Sequence, residues 1–155
     1  MEGYIVPVLC AFLGTLGFSI YYNVGFLISL INAVASMAGY FMYAALLSWT
    51  GSIFRSNFLV AVLMTMVCEI CARHFRVPTT MMLVPMLFPE IPGSSLYNMI
   101  WNLLIGEKEL CISYMTDLVV VIAALNLGIV LVTAIIKIYT NIRIRLRYGR
   151  YEGYR

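Results

Sequence analysis

Charge is scarce in this chain. Ten Lys and Arg and seven Asp and Glu make up 11% of its 155 residues, with a single His. A soluble domain carries about a quarter. Residues AVILMFWYC supply 63%, and the mean hydropathy is +0.94. A soluble fold of this size would have no polar surface left to cover its core. These shortages exclude a soluble globular domain, a disordered chain and a nucleic-acid-binding domain. Alternation of apolar and polar residues is lacking too. The apolar residues come in long runs, which excludes a transmembrane barrel. What remains is an all-α polytopic membrane protein.

Other absences narrow the chemistry. There is no Walker motif, no nucleophile elbow and no HExxH. No enzyme activity and no cofactor are expected, and any transport is secondary or channel-like. Of Cys10, Cys68, Cys71 and Cys111, three lie inside apolar segments, so a disulfide framework is not expected. Cys68, Cys71 and His74 fall on adjoining turns, but a structural zinc site needs four ligands and no fourth is evident. No metal site is expected, and the cysteines read as small hydrophobes. The N-terminus has no Lys or Arg ahead of its apolar run and carries Glu2 instead, unlike a signal peptide. Leu9 stands before Cys10 where a lipoprotein signal wants a small residue. Residues 4–22 read as a retained first helix.

About five spans fit, at roughly 20 apolar residues each. They are predicted at residues 4–22, 30–49, 57–73, 79–104 and 116–139, within a single domain over 1–140 followed by a basic tail over 141–155. In the first, Pro7 lies in an early turn where a missing N–H costs least, and Gly14 and Gly17 offer a close-approach face. In the second, Asn32, Ser36, Gly39 and Tyr43 share one small, polar face. That face reads either as helix packing or as a pathway lining. In the third, Thr65, Glu69 and Arg73 share a face. Residues 106–114 read as a loop. In the last, Asn126, Thr133 and Lys137 lie on one side.

Five crossings put the tail on the same side as the loop after Arg73. That side holds Arg73, Arg76, Lys137, Arg143, Arg145, Arg147, Arg150 and Arg155, while the other holds Arg55 and Lys108. The positive-inside rule then predicts a cytoplasmic C-terminus and an outside N-terminus. A re-entrant 79–104 segment would make the crossings even and defeat this assignment. The basic tail reads as an anchor on anionic lipid.

The most informative feature is the fourth span, interrupted by Pro85, Pro89, Pro92 and Gly93. The predicted arrangement is a half-helix before Pro85, irregular backbone through Pro92 and a second helix from Ser94. Unpaired backbone groups in hydrocarbon cost several kcal/mol each, so such a break survives only where it lines a cavity or is buried by protein. Discontinuous helices that present their ends to a solute are a recurring transporter device. The plainer reading is a structural kink. Glu90 lies inside the break. A carboxylate at membrane depth marks a proton or substrate site by default, unless it sits wet near the interface. Glu69 and Arg73 are spaced i, i+4 and pair with each other. They read either as an internal ion pair with Arg73 snorkelling, or as a proton-coupling carboxylate beside an anchor for a substrate carboxylate.

The run Glu69-Ile-Cys-Ala-Arg73, then Pro78, then Val84-Pro-Met-Leu-Phe-Pro-Glu-Ile-Pro-Gly93, with Tyr97 following, resembles the threonine/serine exporter family. It is most similar to the small second component, a separate chain in some members and the C-terminal half of a fusion in others. Gly51 and the link at Asn23 also fit. The resemblance covers roughly residues 5–138. It implies a secondary exporter of small amino acids or related small carboxylates that uses the proton gradient and works with a larger membrane subunit. It also implies a cell-membrane location, and the fused members agree with the orientation above. Two departures stand out: Glu90 replaces an apolar residue expected in many relatives, and the Arg/Tyr tail beyond residue 140 is not a family feature.

On this reading Glu69 carries or senses the proton, and Arg73 neutralises the substrate carboxylate or holds Glu69. The break at Pro85, Pro89, Pro92 and Gly93 presents the half-helix N-terminus near Ser94 and Ser95 to the solute. Glu90, Tyr97 and Asn126 complete the candidate pathway. The alternatives from other classes are a structural scaffold subunit and a homo-oligomeric channel. No nucleic-acid partner is expected.

Overall fold

The structure, a computed structural model, describes residues 2–152, with side chains described for 6–143. The predicted basic tail side chains Arg145, Arg147, Arg150 and Arg155 lie outside the described side chains. The described chain is all α-helix apart from short links. Six helices follow one another: α1 Glu2–Tyr21, α2 Phe26–Thr50, α3 Ile53–Phe75, α4 Thr79–Met86, α5 Gly93–Ile105 and α6 Lys108–Glu152. A 3-10 turn at Phe88–Glu90 separates α4 from α5. By length and composition three helices can cross a membrane: α2, α3 and the Lys108–Arg143 part of α6; Val6–Tyr21 is a shorter apolar helix.

Helices α2, α3 and α5 stop where the backbone turns left-handed. Gly51 (φ 62°) and Gly106 (φ 85°) close α2 and α5, donating to the carbonyls of Leu47 and Asn102. Glycine adopts this conformation without a Cβ clash. Arg76 (φ 57°) does the same for α3, and Pro78 prevents the helix from resuming. The region 106–114, expected as a loop, is a tight turn at Gly106–Glu107 followed by helix from Lys108. The left-handed Gly106 alone reverses the chain. Glu109 in the first turn of α6 complements the helix N-terminus, so the charged residues start a helix rather than interrupt one.

α3 is the central element. One face packs against α2 and α4, where Val60, Met64, Cys68 and Ala72 meet Met82, Met86 and Leu87. The other packs against α6, where Ala61 meets Val121 and Leu125. The α3–α6 contact is a close one. A Cβ on Gly128 would stand 2.7 Å from the Cβ of Ala61 and 3.0 Å from the carbonyl oxygen of Phe58. Further along, Arg73 reaches Thr140, so α3 and α6 run parallel. The segment between them therefore carries the chain back from one end of the bundle to the other. α5 packs against α6 and no other helix to a comparable extent.

α1 and α2 are antiparallel, with Thr15 opposite Ser36 and Ser19 opposite Asn32. The predicted close approach at Gly14 and Gly17 does not occur. A Cβ on Gly17 would meet nothing within 4 Å, and one on Gly14 would meet only the Phe88 ring at 3.9 Å. The contact stripe is instead Ala11, Thr15 and Ser19, all buried. These recur every fourth residue, which keeps them on one face, whereas the glycines fall to the side.

Candidate functional site

The broken crossing is built from what three prolines take away. A proline has no N–H, so the carbonyl four residues before it in a helix loses its partner. Pro85 sits inside α4 and frees the carbonyl of Met81. Pro89 frees that of Pro85, which the Leu87 N–H only approaches while donating to the Leu83 carbonyl at 3.1 Å. Pro92 frees that of Phe88, which takes the Ile91 N–H at 3.3 Å. The helix thus runs through Pro85 to Met86, two residues further than the prolines alone predict, then tightens into the 3-10 turn. α5 starts at Gly93, with its first helical bond from the Leu96 N–H to the Pro92 carbonyl at 3.1 Å. The N–H groups of Ser94 and Ser95 lie ahead of that bond.

The Met81 carbonyl is met from another helix. The side-chain amide of Asn32 in α2 donates to it at 3.3 Å and lies 3.5 Å from the Ser19 hydroxyl. Asn32 is fully buried, and its Oδ1 has no partner. Thr15 and Ser36 share a hydrogen bond of 2.7 Å in the same interface. Of the predicted polar face on α2, Asn32, Ser36 and Gly39 are buried. The face packs on α1 through Ser36 and Asn32, and on α3 where Gly39 meets Met64.

The 3-10 turn is held by Phe88, whose ring stacks on Phe18 of α1 at 4.6 Å between centroids. Its third residue, Glu90, is 7% exposed. Glu90 therefore faces the interior of the bundle, not an aqueous rim.

Glu69 and Arg73 form the predicted ion pair, 3.6 Å apart, with the Arg73 side chain 56% exposed and that of Glu69 14%. Arg73 also donates to the Thr140 hydroxyl at 3.4 Å. The pair lines a groove of about 310 Å³ with Met66, Ile135 and Tyr139. That groove shares no lining residue with the two cavities beside the break. One of these, about 490 Å³, is lined by Leu87, Ile91, Pro92, Leu96 and Asn126. The other, about 260 Å³, is lined by Phe18, Thr80, Met81 and Pro85. Cys68, next to Glu69 in sequence, meets Thr79 at the start of α4, whereas the break lies beyond the other end of that helix, after Met86. The charged pair and the broken backbone, expected together, occupy different depths.

Asn126 lines the larger cavity and is exposed, with its amide donating back to the Ile122 carbonyl at 2.8 Å. Tyr97 is exposed and Ser94 lies at the open start of α5. Cys68 is buried, its thiol donating to the Thr79 carbonyl at 3.3 Å, and His74 sits edge-on to Phe75. Among the described residues no three His, Cys, Asp or Glu side chains group as metal ligands. Sequence reasoning missed the tie from Asn32 to Met81. The residue was visible on a polar face, but its partner lies 49 residues away and only the assembled fold brings the two together.

No curated protein and no solved structure matches the chain. The sequence model described as Threonine/Serine exporter, ThrE matches residues 7–135. That match takes in the Glu69–Arg73 pair and the whole of the broken crossing, and the chain belongs to the threonine/serine exporter family.

Proposed function

We propose that this chain is one subunit of a secondary, proton-coupled exporter of threonine, serine or related small carboxylates, working with a larger membrane subunit. Its N-terminus would face outside the cell and its C-terminus the cytoplasm. The observation that carries the reading is the proline-broken crossing with Glu90 buried at its centre, in a chain of an exporter family. A buried carboxyl at membrane depth is costly and marks a site that handles a proton or a polar solute.

The proposed pathway has two stations. At the first, Arg73 offers a planar fork to a carboxylate, with Glu69 beside it to take or release a proton. At the second, beyond the far end of α4, the break offers the Ser94 and Ser95 N–H groups at the start of α5, with Glu90 behind them. A solute that moves along the bundle would meet both. The larger subunit supplies what this chain leaves open. Asn126 stands exposed on the most apolar helix, and a polar group facing lipid is unfavourable unless protein covers it.

The test is transport in vesicles carrying this chain with and without the larger subunit. Labelled serine, threonine and a small dicarboxylate are loaded, a pH gradient is imposed, and movement is followed with and without an uncoupler. Gradient-dependent movement requiring both chains is the expected result. Movement with this chain alone would replace the reading with a homo-oligomeric carrier or channel. No movement despite a stable complex would make the chain a scaffold.

A further inference from the structure

We propose that Asn32 is a positioning residue for the break: it holds the carbonyl that Pro85 frees, and so fixes α4 against α2 at the point where the fourth crossing opens. The three freed carbonyls are not satisfied alike. That of Phe88 finds a donor within the same segment, from Ile91, and that of Pro85 has only the Leu87 N–H near it, which donates to Leu83. That of Met81 is met from α2 by the Asn32 amide at 3.3 Å. A local donor travels with the segment if it moves; a donor on another helix ties the segment to that helix.

Asn32 also leaves an acceptor unused. Its Oδ1 is buried without a partner, a cost that an apolar side chain of the same shape would avoid. A residue chosen for packing alone would be leucine or alanine. The amide is present because a donor is needed at this depth, and Ser19 lies near its second hydrogen, 3.5 Å from the nitrogen.

The inference rests on the exporter reading only in its transport arm, and a double-mutant cycle separates the two. The variants are Asn32→Leu, which keeps the volume and removes the donor, Pro85→Ala, which returns an N–H to the Met81 carbonyl, and the pair together. Thermal unfolding in detergent and transport of labelled threonine by the full chain with its larger subunit are read for each. Asn32→Leu is expected to lower the unfolding midpoint by about 2–4 °C when Pro85 is present, and to leave it unchanged in the Pro85→Ala background. The double variant is expected to be as stable as wild type yet to lose threonine transport, because the Met81 carbonyl is then bonded within α4 and no longer ties α4 to α2. If the two substitutions simply add in stability, the Asn32–Met81 link does not exist. If the double variant is stable and transports like wild type, Asn32 is a packing residue and positions nothing that matters. Should wild type itself move no threonine, the exporter reading fails, while the stability cycle still decides whether Asn32 holds Met81.

Discussion

The two sides of α3 use polar groups in opposite ways. Toward α1, α2 and α4 the polar residues are neutral and buried: Thr15, Ser19, Asn32 and Ser36 meet one another or a freed carbonyl. Toward α6 the interface is apolar and tight around Gly128, and the charges stand at its margin, where Arg73 is mostly exposed. The difference shows where each kind of group is tolerable. An uncharged donor can be buried if it finds an acceptor. A salt bridge gains little from burial and is easier to keep at an edge. Glu90 excepted, the innermost polar groups are therefore the neutral ones that organise the backbone, and Arg73 is left accessible.

The sharpest way to break this contrast is at Gly128. Gly128→Leu is expected to separate α3 from α6 and cost at least about 3 kcal/mol, seen as loss of the monodisperse peak in size-exclusion chromatography. A comparable enlargement at Gly17, where a Cβ meets nothing within 4 Å, is expected to leave that peak intact. On the neutral side, Ser36→Ala is expected to cost about 1 kcal/mol by stranding Thr15. Adding Thr15→Val should return most of that loss, since removing both partners leaves nothing unsatisfied; thermal unfolding of the three variants decides it.

The smallest effect on stability is expected at the charged margin. Arg73→Ala should change stability by under about 0.5 kcal/mol, as is usual for an exposed partner, and Glu69→Gln, at a side chain only 14% exposed, by about 1 kcal/mol or less, while each abolishes solute movement in vesicles. A Glu69→Gln protein that exports at the wild-type rate would end its role as proton carrier. Glu90→Gln sharpens the same contrast from the buried end. It keeps the shape and removes a desolvated acid, so the unfolding midpoint should hold or rise while dependence on the pH gradient is lost.

Much of this contrast was legible in the sequence. The i, i+4 spacing alone placed Glu69 against Arg73, and the three prolines marked the break to within about one turn. Composition pointed to an all-α membrane fold. What could not be read was partnership across helices. Periodicity places Asn32 on a face but does not say that Met81 will lie opposite it. Gly14 and Gly17 looked like the contact face of α1 because small residues permit approach. Permission is not contact, and the stripe Ala11, Thr15 and Ser19 lay closer to the α2 register. The separation of Glu90 from Glu69 was hidden for the same reason, since depth depends on how the fourth crossing is packed against the others.

The isolation of α5 has a consequence for how the protein is made. Helices α1 to α4 can pack on one another as each leaves the ribosome, because each touches a helix already synthesised. α5 cannot. Its partner is α6, which follows it in the chain and is not yet there when α5 enters the membrane. Until then its apolar surface, with Leu103 and Leu104 at 64% and 76% exposed even in the finished fold, has only lipid or the insertion machinery for company. A chain stalled before Lys108 would therefore carry a completed four-helix platform and one orphan helix, which is the form that membrane quality control is built to recognise.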